Sequence, residues 1–104
     1  MRLLLSYTIR REWQARCIAD VVPGLTGYAG QSHIDIDAAT ARDVIQDCRF
    51  QADPQAADHP LPVRQAYRAL QIRLTRLLDN VALATDLERA TERSGSAGNT
   101  CLPF

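Results

Sequence analysis

Arginine is the residue type in this sequence with the clearest capacity for binding, because one short segment holds four of them. A guanidinium group can form two parallel hydrogen bonds with a carboxylate or a phosphate. Residues 62–78 contain no acidic residue, and their arginines are Arg64, Arg68, Arg73 and Arg76. The favoured interpretation is a solvated face that pairs with the domain's own Asp43 and Asp47. The alternative is a face that binds an acidic protein or the phosphates of a nucleic acid.

Aspartate, histidine and cysteine are the residue types here that could hold a metal ion. The aspartates closest together in sequence are Asp35, Asp37, Asp43 and Asp47. They lack the ligand and glycine offsets of a calcium-binding loop. His33, His59 and the cysteines also lack the short spacings of a zinc site. Solvated aspartates and a helix cap at Asp37 explain the pattern better, so we expect no metal and no cofactor.

A catalytic set is not recognisable in the sequence. Lysine is absent, which excludes a phosphate-binding P-loop, a Schiff-base lysine and a Ser-Lys pair. Cys17 and Cys48 lie on apolar stripes, where cysteine is normally an inert core residue. The odd number of cysteines, with Cys101 as the third, is typical of a reduced, cytoplasmic protein. The first residues are too short an apolar run for a leader or a membrane span. We therefore predict a cytoplasmic protein that is not an enzyme.

The elements that would position these residues start with an amphipathic helix over residues 62–81. Its apolar residues recur at the spacing of a 3.6-residue period: Val63, Ala66, Tyr67, Leu70, Leu74, Leu77, Leu78 and Val81. Residues 38–49 predict an earlier helix with Asp37 as its N-cap.

Beyond Val81 the apolar register changes, with Leu83 and Leu87 on a different side of the helix. Either the helix breaks near Asn80, or one long helix carries a second apolar strip. That strip could bind a partner or a second copy of the chain. In the second case, replacing Leu83 and Leu87 by arginine would lower the solution mass to that of a monomer.

The N-terminal part predicts strands. Residues 2–9 alternate between apolar and polar positions, and residues 32–36 form a short strand pattern. Residues 12–22 fit a strand or a helix, and a strand is favoured because Val22 precedes Pro23. The expected fold is α+β, with a small antiparallel N-terminal sheet of two or three strands packed against two or three C-terminal helices; the alternative is a mostly α fold. Residues 1–93 would form one domain and residues 94–104 a flexible tail.

These observations favour a small binding protein. The formal net charge is zero, so no overall charge draws the chain to nucleic acid or membranes. The use of arginine at every position that could hold lysine or arginine indicates a GC-rich, bacterial genome. A ribbon-helix-helix DNA reader is disfavoured by the acidic strand at residues 32–36. The leading hypothesis is a non-enzymatic inhibitor, anti-defence or regulatory protein that binds a protein partner, with a homodimer possible. The alternative is a nucleic-acid-binding regulator that uses the arginines of residues 62–78.

Overall fold

The computed structural model describes residues 1–97, and the side chains of residues 1–82. The strands are β1 (Arg2–Leu4) and β2 (His33–Asp35), and the helices are α1 (Tyr7–Ala15), α2 (Ile18–Val21), α3 (Ala38–Ala52) and α4 (Leu61–Ala97). A single 3-10 turn, Pro23–Leu25, follows α2. This confirms the α+β prediction, with a two-stranded sheet and a larger helical part.

The sheet is antiparallel, and its register pairs Arg2 with Asp35, Leu3 with Ile34 and Leu4 with His33. Leu3 and Leu5 point into the core, whereas Arg2 and Leu4 are exposed. The prediction of a strand at residues 32–36 is therefore confirmed, but the predicted strand at residues 2–9 ends at Leu4.

Helices α1 and α2 replace the end of the first predicted strand and most of the second, so the strand favoured for residues 12–22 is wrong. The Ser6 hydroxyl caps the helix by accepting a hydrogen bond from the Ile9 amide. Ile9 and Trp13, four residues apart, are both buried on one face of the helix. A strictly alternating sequence also has apolar residues four positions apart, and a helix brings such residues onto one face. Ile9 and Trp13 therefore fit both the strand pattern and the helix pattern.

The corner between α1 and α2 is made by Cys17, whose φ of 50° lies in the left-handed region. Glycine or asparagine usually occupies such a position. The sequence therefore carries no ordinary signal for this helix end. Val22 is extended, as Pro23 requires, but a one-turn helix precedes it rather than a strand.

Helices α3 and α4 supply most of the core. Asp37 caps α3 by accepting a hydrogen bond from the Thr40 amide at 2.7 Å, as predicted. This bond lowers the pKa of the Asp37 carboxyl. Gly24 packs so closely on α3 that a Cβ there would collide with the Thr40 side chain.

The predicted apolar stripe of α4 faces this core. Tyr67, Leu70 and Leu74 are fully buried, and Val63, Ala66, Leu77 and Leu78 pack beside them. Truncation of one such leucine to alanine typically costs about 2–5 kcal/mol. Val81, the last residue of the predicted stripe, is 45% exposed.

Helix α4 runs without a break from Leu61 to Ala97, so the predicted alternative of a break near Asn80 does not occur. A helix of 37 residues is about 55 Å long, and the molecule measures 58 × 28 × 19 Å. The side chains of Leu83 and Leu87 lie outside the described residues. Of the predicted tail, residues 94–97 belong to α4 and residues 98–104 lie outside the described residues.

Candidate docking groove

The four arginines of α4 that were predicted to form a binding face lie on two sides of the helix. Arg64 and Arg73 are nine residues apart, which places them about 180° apart around the helix axis. The Arg64 Nε donates a hydrogen bond to the His59 carbonyl at 3.2 Å. An Arg73 Nη donates to the Leu4 carbonyl at 2.5 Å. The two arginines thus flank the buried stripe on opposite sides, and the four do not form one continuous face.

The predicted pairing of these arginines with the acidic residues of α3 is also not observed. Asp47 binds Arg16 instead, through two hydrogen bonds of 2.9 and 2.6 Å. Among the residues whose side chains are described, no carboxylate lies within 4.0 Å of Arg64, Arg68, Arg73 or Arg76. These guanidinium groups are therefore available to carboxylates or phosphates from outside the domain.

On the Arg68 side, α3 and α4 form an open depression of about 450 Å³. Arg68 and Arg49 line it together with Asp53 and Ile72. Because charges of both signs occur on these walls, this depression has no strong preference for a ligand of one sign.

On the Arg73 side, β1 and α4 form an open groove of about 370 Å³, which we call the β1–α4 groove. Its lining residues are Arg2, Leu3, Leu4, Arg73, Arg76 and Leu77. Leu4 is 62% exposed beside the buried Leu3. Among the residues whose side chains are described, the lining consists of three arginines and three leucines and has no acidic residue. An anionic ligand with apolar side chains would complement both parts of this surface.

Arg2 and Leu4 belong to this site, although neither was predicted from the sequence as a binding residue. Both occupy the outward positions of the predicted N-terminal strand, opposite Leu3 and Leu5. An arginine next to an exposed leucine at the start of a strand was the available signal. What brings them to Arg73 and Arg76 is the packing of α4 beside β1, which no local pattern contains.

A second group of polar side chains joins α1, α3 and α4 in the interior. Arg16 donates to Asp47 and, at 3.0 Å, to the Tyr67 hydroxyl. The Tyr67 hydroxyl donates in turn to a Glu12 carboxylate oxygen at 2.9 Å. His59 Nδ1 lies 3.9 Å from that same oxygen, and its Nε2 lies 2.5 Å from the Gln51 amide oxygen. We call these residues the interior polar network.

The network contains groups that could move protons, yet its contacts are internal. The bond to Asp47 raises the pKa of Arg16, and burial raises the pKa of Tyr67. Both side chains therefore remain protonated at neutral pH. The guanidinium and hydroxyl groups already have partners within the network, so it is suited to fixing the angle between the helices.

The two described cysteines differ from each other. Cys48 is fully buried, as predicted, and burial raises the pKa of its thiol to about 12. Cys17, predicted as a core residue, is instead exposed at the left-handed corner after α1. The apolar stripe containing Cys17 assumed a continuous element, whereas the chain turns at that residue.

Neither a metal cluster nor a membrane-spanning element is found in the described part of the chain. No three histidine, cysteine, aspartate or glutamate side chains converge there. None of its helices combines the length and apolar composition needed to cross a membrane. Comparison of the chain with known protein families, characterised proteins and solved structures gives no match.

Proposed function

We propose that this chain acts by binding another protein, without catalysis of its own, and that the β1–α4 groove is the contact surface. The observation that carries the proposal is the set of three arginines in the groove. They surround an apolar floor and have no carboxylate partner among the residues with described side chains. Arginine beside exposed apolar surface is the composition that protein interfaces favour.

The inhibitor or regulatory classes expected from the sequence operate by this kind of binding. The free thiols of Cys17 and Cys48 are consistent with a reducing compartment, and we include a cytoplasmic location in the proposal. A protein partner is favoured over nucleic acid because the arginines of α4 lie on two sides of the helix. A phosphate backbone is best followed by a continuous basic stripe.

The test compares two variants of α4 that lose the same charge. Arg73→Gln with Arg76→Gln alters the groove, whereas Arg64→Gln with Arg68→Gln alters the other side. Each pair contains one arginine that donates to a backbone carbonyl and one that is exposed. The second pair is therefore a matched control.

Each protein would be immobilised and exposed to a lysate of the organism that carries the gene. We expect the wild type and the control variant to retain the same protein, and the groove variant to lose it. Equal retention by all three, or retention only of nuclease-sensitive material, would exclude the proposal. Circular dichroism would verify that the variants remain folded.

A further inference from the structure

We infer that the β1–α4 groove binds an extended acidic peptide, which adds to the free edge of β1 as a third strand. This inference rests on the proposed function and specifies the chemistry of the partner. It follows from three properties of the groove: the direction of the backbone groups of β1, the positions of the arginines and the apolar floor.

The backbone groups of Arg2 and Leu4 point away from β2. In an antiparallel pair, residues alternate between those that exchange hydrogen bonds and those that do not. Met1 exchanges bonds with Ile36, and the Leu5 amide donates to the Ser32 carbonyl. With the register of Leu3 opposite Ile34, the intervening Arg2 and Leu4 direct their N–H and C=O groups to the outer edge. The bond from Arg73 to the Leu4 carbonyl confirms this direction.

An outer strand edge is a template for a peptide in extended conformation. The Arg2 N–H and C=O and the Leu4 N–H are available to such a chain, and the Leu4 oxygen has a second lone pair beside Arg73. A two-stranded sheet gains stability from a third strand. A nucleic acid cannot supply this ladder of backbone hydrogen bonds, so the edge favours a peptide.

The charge of the groove selects an acidic peptide. Arg2, Arg73 and Arg76 line it without an acidic residue. Side chains of an extended peptide recur on one face every second residue, about 6.6 Å apart. Acidic residues at this spacing, on the face that Arg2 and Leu4 share, can reach the arginines. The apolar residues between them point to the opposite face, the side of the buried Leu3. The chain's own residues 98–104 contain no acidic residue, which favours a segment of another protein.

The probe is a fluorescein-labelled peptide with the core Glu-Val-Glu-Val-Glu, titrated to about 1 mM, the weak end of specific binding. Two control peptides isolate the two components of recognition. In the first, lysine replaces glutamate, which reverses the charge. In the second, every backbone amide of the core is N-methylated, which removes the backbone donors in either strand orientation and retains the side chains.

We expect saturable binding of the acidic peptide, and at least about tenfold weaker binding of both control peptides. Arg73→Gln with Arg76→Gln should weaken binding about tenfold, whereas Arg64→Gln with Arg68→Gln should leave it unchanged. In ¹⁵N NMR spectra, the Arg2 and Leu4 amides should shift on binding. Equal binding of the N-methylated peptide, or shifts confined to other regions, would overturn strand addition.

A backbone variant tests the edge directly. Leu4→Pro removes an N–H that points outward and is not part of the pairing with β2. It should abolish peptide binding while circular dichroism remains that of the wild type. If Leu4→Pro unfolds the protein, the binding of the N-methylated peptide and the NMR shifts still test strand addition.

The results distinguish this inference from the proposed function. A protein partner lost by the groove variant, together with no binding of the acidic peptide, would reject the inference and leave the function standing. In that outcome the arginines would recognise a folded surface rather than an extended peptide.

Discussion

Arg16 and Arg76 carry the same guanidinium group in two regions that use it differently. Arg16 belongs to the interior polar network, where its side chain is 20% exposed and bound to both oxygens of Asp47. Arg76 lines the β1–α4 groove and has no acidic neighbour in that lining. The difference shows that the fold, by supplying or withholding a carboxylate, decides whether an arginine stabilises the domain or remains available to a partner.

The two regions should therefore respond differently to the same mutation. Changes in the interior polar network should lower the free energy of unfolding and leave binding by the groove unchanged. Changes in the groove should leave the free energy of unfolding nearly constant and alter binding. Five predictions test this contrast.

The largest effect should be the protection of Cys48, which lies beside Asp47 in the interior. A thiol with a pKa of about 12 has, at pH 8, roughly a thousandfold less thiolate than one with the ordinary pKa of about 8.5. In a Cys17→Ser, Cys101→Ser variant, Ellman's reagent should therefore react about a thousandfold more slowly with the native protein than in urea. A control retaining only Cys17 should react rapidly in both states. Rapid native labelling of Cys48 would show that the interior is open.

The second prediction is that Arg16→Met lowers the free energy of unfolding by about 1.5–3 kcal/mol, because Asp47 and Tyr67 lose a partly buried, charged donor. Arg76→Met, its counterpart in the groove, should change this free energy by no more than about 0.5 kcal/mol. Urea unfolding followed by Trp13 fluorescence measures both. Similar losses in the two variants would remove the distinction between the regions.

The third prediction concerns the Tyr67 hydroxyl, which connects Arg16 to Glu12. Tyr67→Phe should cost about 1 kcal/mol, the usual contribution of a hydrogen bond. Tyr7→Phe, at a residue that is 64% exposed, should cost a few tenths at most. Equal stabilities of the two variants would indicate that the network is not formed in solution.

The same hydroxyl predicts a pH dependence. Because the folded pKa of Tyr67 is raised by burial, the unfolded chain loses this proton first as the pH increases. Its contribution to stability is therefore fully present below pH 10 and is lost as the pH rises toward the folded pKa. Between pH 9 and 11, unfolding free energy should decline less steeply in Tyr67→Phe than in the wild type.

The smallest effect on stability should come from the groove itself. Arg73→Gln with Arg76→Gln should change the free energy of unfolding by about 0.5 kcal/mol or less, since only the Arg73 bond to the Leu4 carbonyl is lost. Chemical denaturation measures this change. A loss above about 2 kcal/mol would assign these arginines to the structure of the domain rather than to a binding surface.

The accuracy of the sequence predictions followed the strength of the local signals. The apolar stripe through Tyr67, Leu70 and Leu74 fits the helical period and not the alternation of a strand, so the helix was predicted correctly. Asp37 was recognised as a cap because its side chain acts within three residues. Residues 7–15 were predicted wrongly because Ile9 and Trp13 satisfy a strand and a helix equally. The Ser6 cap was the local signal that could have decided between them.

The site was predicted in part for the same reason. Arg73 and Arg76 were named from their place in a basic segment, but Arg2 lies 71 positions before Arg73 in the chain. Their proximity depends on how α4 packs beside β1. The prediction that Asp47 pairs with α4 was wrong for the same reason, since Asp47 binds Arg16, the C-cap residue of α1.

Local side-chain spacing was sufficient to specify helices α3 and α4, the Asp37 cap and the supply of arginine, because these depend on residues within one or two turns of each other. Which arginines bind a carboxylate inside the domain depended instead on how the helices pack. Ion pairing depends on distances of a few ångströms between residues far apart in the chain, and such distances are fixed only when the helices pack together.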